Sequence, residues 1–161
     1  PCLTELKFKS NIVHEKALKK GARSMEFTYY NDKIIGQLEY GFLPVSPNSE
    51  LGYRPFELFV SSLVGCSTSL LANILTKKRI DYKRIDVNVS AVRNPDEANR
   101  IEQLTFNVSV QTDQKEKADQ AEKLGILVLK NCGMIQSVIG SIDVQYKIEF
   151  TPDQPKKGDV A

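Results

Sequence analysis

Histidine and cysteine are the scarce residues of this 161-residue chain, with one of the first and three of the second. A single histidine, His14, leaves Cys/His nucleophile–base pairs and His-rich metal sites almost without material. The three cysteines, Cys2, Cys66 and Cys132, are too few for a disulfide scaffold and none stands in a CxxC zinc spacing, so no metal and no cofactor is expected. Charge of one sign is missing too: 22 basic residues face 20 acidic ones, dispersed along the chain, which gives no footing for nucleic acid. An uninterrupted apolar run is absent as well. The longest candidate, Phe56 to Leu75, contains Glu57, Gly65, Asn73 and five Ser/Thr residues, a poor membrane span. Pro1 to Ser10 alternates charge with apolar residues and lacks the apolar core of a signal peptide. A cytoplasmic, reducing location is the expectation, with the thiols free at rest. Any chemistry here falls to a cysteine without a histidine base.

What is present is ordinary for a globular chain: 41% hydrophobic, 26% charged and a mean hydropathy of −0.30. At this length a chain buries roughly 70% of its unfolded surface and needs no staple, so residues 1–161 are expected to form one domain. Met25 to Tyr29 alternates as a half-buried strand does, and Ile34 to Tyr40 follows after Asn31-Asp32, a turn pair, so a hairpin is expected. Gly41 to Arg54 carries Pro44, Pro47, Asn48, Ser49 and Gly52 and reads as loop, which makes residues 1–53 a segment of N-terminal strands and loop.

Pro55 suits the first position of a helix reaching about Arg79, apolar on nearly every face and therefore expected to be buried. Ile85, Val87, Val89 and Ala91 form one alternating strand, and Leu104, Phe106, Val108 and Val110 another, joined through Asn94-Pro95-Asp96. Asp113 and Glu116 have capping-box spacing for a second helix, whose stripe is Ala118, Ala121, Gly125, Val128 and Cys132. Gly133 permits a break, Met134 to Ile139 can form a further turn, and Ile142 to Phe150 alternates throughout. Residues 151–161 read as a frayed tail. The order is an α+β plan, with sheets covering helices rather than a crossover repeat. There are no internal repeats and no low-complexity segments.

Cys66 shares a helical stripe with Phe59, Leu63 and Leu70, the pattern of a small core residue. Gly65 and the small residues Ser61, Ser62, Ser67, Thr68 and Ser69 around it also leave room for another backbone or a substrate. Cys132 sits where the amphipathic helix ends, directed inward beside a mobile glycine; it reads as a core residue or as a thiol free to move. Glu57 in the first helical turn has an electrostatic role in any case, worth ~0.3–1 kcal/mol.

Pro55-Phe56-Glu57-Leu58 followed nine residues after the glutamate by Gly65-Cys66, with Cys132 closing the second helix, resembles the OsmC/Ohr superfamily of osmotically induced and organic-hydroperoxide-resistance proteins. Element order agrees over residues 54–150. The resemblance implies two long central helices wrapped by antiparallel sheets, in an intertwined homodimer with its active sites at the interface. It implies a thiol peroxidase acting on organic, lipid-like hydroperoxides. Cys66 is then oxidised to sulfenic acid, Cys132 resolves it as a disulfide, and an external dithiol, lipoyl-type or other, restores both. Phe56, Phe59 and Leu63 would line an apolar substrate pocket. In such relatives an arginine held by the helix-start glutamate favours the thiolate; here Arg23 or Arg54 would take that part beside Glu57.

Nine helical positions rotate ~900° and rise about 13.5 Å, so Glu57 and Cys66 on one straight helix point to opposite faces. Glu57 reaches the Cys66 chemistry only if the helix breaks or a partner protomer supplies it. Cys132 is followed by Gly133 where many relatives carry proline, and the N-terminal arginine does not align, which marks a divergent subgroup. The other reading is a thiol protein of the same fold with weak or no peroxidase activity, binding small hydrophobic or sulfur-containing ligands.

Overall fold

The computed structural model describes residues 25–114 and 118–152. The chain forms two compact units, residues 1–53 and 54–161.

In the first unit, β1 (Glu26–Tyr30), β2 (Lys33–Gln37) and β3 (Phe42–Val45) form an antiparallel sheet in that order. The expected hairpin is there: Tyr30 pairs with Lys33, and Asn31 and Asp32 between them take φ of 50° and 58°. Positive φ at both loop residues matches the right-handed strand twist, and Asn and Asp tolerate it. β3 occupies part of the segment read as loop. Its Pro44 lacks an N–H, which a sheet accepts at an edge, and β3 is an edge strand. The Phe27 ring lies over Gly36, where a Cβ would come within 2.7 Å of it. No residue of β1 is buried.

In the second unit α1 (Pro55–Lys77) is followed by β4 (Arg84–Asn94), β5 (Arg100–Gln111), α2 (Ala118–Asn131), α3 (Gly133–Gln136) and β6 (Asp143–Thr151). The sheet order is β4-β5-β6. β4 and β5 pair antiparallel, but β5 and β6 run parallel, from Gln103 against Asp143 to Gln111 against Thr151. The α+β plan holds, and the one departure from the expected antiparallel sheets is this β5–β6 pair. The helices between β5 and β6 carry the chain back to the starting edge, and a strand re-entering after a helical crossover is parallel. Asp113 pairs with Lys83 at 3.1 Å; Glu116, the other half of the expected capping box, lies outside the described residues.

The core joins Leu63, Leu71 and Leu75 of α1 to Leu104, Phe106, Val108 and Val110 of β5. Leu124 and Val128 of α2, Ile135 of α3 and Val144 and Tyr146 of β6 close it. Each such side chain is worth about 1.5–3 kcal/mol relative to leaving it in water. α1 departs from its expected burial. Only Leu63, Ser67, Leu71 and Leu75 are fully buried, one residue per turn, while Ser61, Ser62, Gly65 and Ser69 are exposed. By length and composition alone α1 is apolar enough to cross a membrane, with a mean hydropathy of 1.7 over its best window. Its leucine stripe is nevertheless committed to the protein core.

Gly125 is where α2 approaches β6 most tightly: a Cβ there would meet the Tyr146 carbonyl oxygen at 2.7 Å. Glycine to alanine inside a helix ordinarily gains up to about 1 kcal/mol. Here the new methyl must push backbone, at a cost of roughly 1–3 kcal/mol, so the sign reverses. Gly125→Ala is expected to lower the urea midpoint with an unchanged m-value; a raised midpoint would show that the helix yields freely.

Candidate functional site

α1 is continuous from Pro55 to Lys77, so Cys66 stands mid-helix, half-buried against the core beside Phe59, Leu63 and Leu70. Cys132 is 1% exposed. Its N–H bonds the Val128 carbonyl at 2.9 Å, completing α2, and its carbonyl accepts the Gln136 N–H at 2.9 Å, opening α3. The break between the helices lies in the extended backbone of Cys132 itself, φ −80° and ψ 109°. Gly133 is not what permits it, since a Cβ there would meet nothing within 4 Å and its φ is not in the left-handed region. Ile135, wholly buried, anchors the turn.

This turn brings the two sulfurs together. The Cys132 thiol donates to Cys66 Sγ at 3.1 Å, a non-bonded contact about 1 Å longer than a disulfide. The backbone N–H of Met134 donates to Cys66 as well and is the main reason its thiol lies below the ordinary cysteine range, with the Cys132 thiol contributing next against burial. Burial pushes Cys132 the other way, and a negative charge on Cys66 adds to it, only partly offset by the N–H groups of Ile135 and Met134. The pair is therefore asymmetric: an accessible thiol that ionises early beside a sealed one that ionises late. In a Cys2→Ser background, alkylation by iodoacetamide is expected to reach half-maximal rate below the ordinary pKa of about 8.5, and to modify Cys66 first. A midpoint at or above that value would contradict the assignment.

Glu57 and Arg54 form a separate fork at the start of α1. Glu57 accepts the Arg54 backbone N–H at 3.2 Å and Nε at 2.9 Å, and it also binds the terminal guanidinium nitrogen. This is half a capping box, since arginine has no acceptor to return. The Arg54 side chain holds the Glu57 carboxyl below its usual range. Neither residue is on the Cys66 face of its own unbroken helix, which closes the first of the two routes by which Glu57 might serve Cys66. Of the suggested pocket residues, Leu63 is fully buried, whereas Phe56 and Phe59 are only partly so. Among the described residues no three His, Cys, Asp or Glu side chains converge as a metal site.

Residues 47–147 match the family model described as OsmC-like protein. The chain belongs to the OsmC-like family. No curated protein matches its sequence. A hypothetical protein from Aquifex aeolicus has the same fold, with a TM-score of 0.72 at 18% identity over 83% of this chain and 98% of that one. An organic hydroperoxide resistance protein from Elizabethkingia anophelis gives 0.64 at 14%, over 83% and 100%. The organic hydroperoxide resistance protein OhrB of Bacillus subtilis gives 0.56 at 17%, over 79% and 98%.

In this OsmC-like chain no charged side chain among the described residues acts on Cys66. Arg23 lies outside the described residues, as do Cys2 and His14. The cation that sequence reading passed over is Arg93, on β4, whose guanidinium lies 5.2 Å from the Phe56 ring centre. Its Nε donates to the Asn99 carbonyl at 3.0 Å. The only sequence signal for it was an alternating strand running on past Ala91.

Proposed function

We propose that this OsmC-like protein is a thiol-dependent peroxidase that reduces organic, lipid-like hydroperoxides. The observation that carries the reading is the sulfur pair: a half-buried, acidic Cys66 with Cys132 Sγ at 3.1 Å. The Cys66 thiolate attacks the O–O bond and becomes a sulfenic acid, releasing the alcohol. Cys132 then displaces hydroxide from that sulfur, and the disulfide is reduced by an external dithiol. Phe56 and Phe59 supply apolar surface along the helix leading to Cys66, suited to an alkyl chain. Likeness in fold to organic hydroperoxide resistance proteins supports the same chemistry.

The working form is a homodimer. The unburied β1, with Phe27 and Tyr29 more than half exposed, and the open Ser61, Gly65 and Ser69 face of α1 are surfaces that a second copy would cover. A three-stranded sheet bare on its apolar face is not expected to persist alone. The partner would also bring an arginine, Arg23 or Arg54 with Glu57, to Cys66, on which no charged side chain among the described residues of its own chain acts. The test is consumption of cumene hydroperoxide with dihydrolipoate, alongside light scattering at micromolar protein. Turnover by a dimer is expected; a monomer, or a protein that leaves the peroxide untouched, would sink this reading.

That no charged side chain among the described residues acts on Cys66 favours the second reading, a thiol protein with little peroxidase activity that binds small hydrophobic or sulfur-containing ligands. It predicts a Cys66 that is acidic but reacts no faster with cumene hydroperoxide than with hydrogen peroxide.

A further inference from the structure

The free end of the β4–β5 hairpin reaches over the start of α1. Ile85, Val87 and Val89 of β4 pack against the core, and strand alternation puts Arg93 on the same face, past the last core residue of the strand. The register shift after Val92 is taken up by β5: Val92 faces Gln103 and Arg93 faces Ile101, which leaves Glu102 as the extra residue. The Arg93 guanidinium lies over the Phe56 ring, 5.2 Å from its centre, and its Nε donates to the Asn99 carbonyl at 3.0 Å. Ala98 and Asn99, at φ 52° and 55°, turn the chain and aim that carbonyl. A ring on one side and a carbonyl at Nε fix the group and leave the edge of its two terminal nitrogens to bind something else. Among the described residues no carboxylate pairs with it. Glu97 and Glu102 of the same hairpin bind Arg100, and Glu57, next to Phe56, binds Arg54. Phe59 and Cys66 pack against the core, but Phe56 does not; its ring meets Arg93 instead. A guanidinium fixed in this way at the end of an apolar strip has the form of an anchor for an acidic head group.

We infer that Arg93 is a specificity-determining residue, holding the carboxylate of an amphiphilic hydroperoxide whose chain lies along Phe56 and Phe59 with its peroxide at Cys66. The inference rests on the peroxidase reading of Cys66. The strip also sets a length. Phe56 precedes Cys66 by ten helical positions, about 15 Å along the axis and about 80° around it, with Phe59 between them and about 20° from Cys66. An extended chain advances about 1.2 Å per bond, so about a dozen bonds separate a carboxylate at Arg93 from a peroxide at Cys66. A planar carboxylate takes two parallel N–H bonds from one guanidinium, whereas a doubly charged phosphate would call for a second cation. Ser61, Gly65 and Ser69, the face offered to a second copy, lie roughly 140–220° around α1 from Phe56, so dimerisation through them leaves the strip uncovered. The Cys66 thiolate takes the terminal peroxide oxygen and the O–O bond breaks. The alkoxide takes up the proton that the thiol gave away and leaves as a hydroxy acid. The sulfenic acid is then reduced through Cys132 and the external dithiol. Arg93 stands at the far end of the chain from these atoms, so it acts through KM rather than kcat.

The test compares linoleate 13-hydroperoxide with its methyl ester, both below their micelle concentrations, on the full chain in a Cys2→Ser background with dihydrolipoate as reductant. The acid is expected to have the lower KM. Arg93→Gln should reduce the acid-to-ester ratio of kcat/KM roughly fivefold, through KM, and Arg93→Lys should restore part of it. Linoleate 9-hydroperoxide, whose carboxylate stands nearer the peroxide, is expected to show the smaller ratio of the two acids. A ratio near one in the parent, a ratio that Arg93→Gln leaves in place, or equal ratios for the two isomers overturns the inference. Oleate, which carries no peroxide, separates the inference from the peroxidase reading. It should protect Cys66 from iodoacetamide, methyl oleate should protect less, and Arg93→Gln should abolish the difference; equal protection by acid and ester in the parent overturns the anchor. The expected protection in a protein that consumes no hydroperoxide would instead remove the peroxidase reading and leave Arg93 as the anchor of an acidic amphiphile.

Discussion

Cys66→Ser is expected to abolish dithiol-dependent hydroperoxide consumption, a loss of at least about a thousandfold, while the fold is kept. The hydroxyl is as small as the thiol, and the site is half-open rather than packed, so stability should change little. A serine alkoxide is not populated near neutral pH, and oxygen cannot take up and return the peroxide oxygen as sulfur does. Cys132→Ser separates the steps. Cys66 would still be oxidised once, at a rate close to the parent's, but the sulfenic acid would persist because no second sulfur stands 3.1 Å away. A dimedone adduct at Cys66 in that variant, seen by mass spectrometry and absent from the parent after one equivalent of peroxide, is the expected signature. If Cys66→Ser keeps its turnover, the chemistry lies elsewhere. If Cys132→Ser turns over like the parent, Cys132 is not the resolving thiol.

The legible parts of the chain were those where one short-range rule decides the outcome. Asn31-Asp32 announces its turn because few residues accept positive φ, and β6 announces itself because alternation from Ile142 to Phe150 has no rival period. The stripe Ala121, Gly125, Val128 and Cys132 is inward as its spacing requires. What the residues could not yield depended on a partner distant in the chain. Pro44 reads as a breaker until β2 is known to flank it on one side only. The parallel pairing of β6 with β5 follows from the path of the chain, not from either strand's pattern. The burial of α1 was overestimated because apolar composition records a surface that wants cover, whether or not the same chain supplies it.

The site divides in the same way. That Cys66 and Cys132 meet was implied by resemblance; that Met134 N–H serves Cys66 was not, because a backbone donor leaves no trace in side-chain identity. Glu57 drew notice as a site residue, yet within its own protomer it works with Arg54 at the helix end.

Phe106→Ala is expected to cost about 3–5 kcal/mol, the range for deleting a buried ring that its neighbours cannot replace. Phe106 is wholly buried at the centre of β5, stacked on Tyr146 and enclosed by the leucines of α1 and α2. For a chain of this length that corresponds to a fall in Tm of roughly 10–15 °C, read by calorimetry. Strand pairing on both sides of β5 restrains collapse, because Phe106 is held between Val89 and Tyr146 in register. The cavity would therefore persist and the Tyr146 ring would lose one wall. Phe106→Leu refills most of the volume and is expected to recover more than half of the stability. Recovery of less than half would mean that the ring's stacking on Tyr146, rather than its volume, carries the cost.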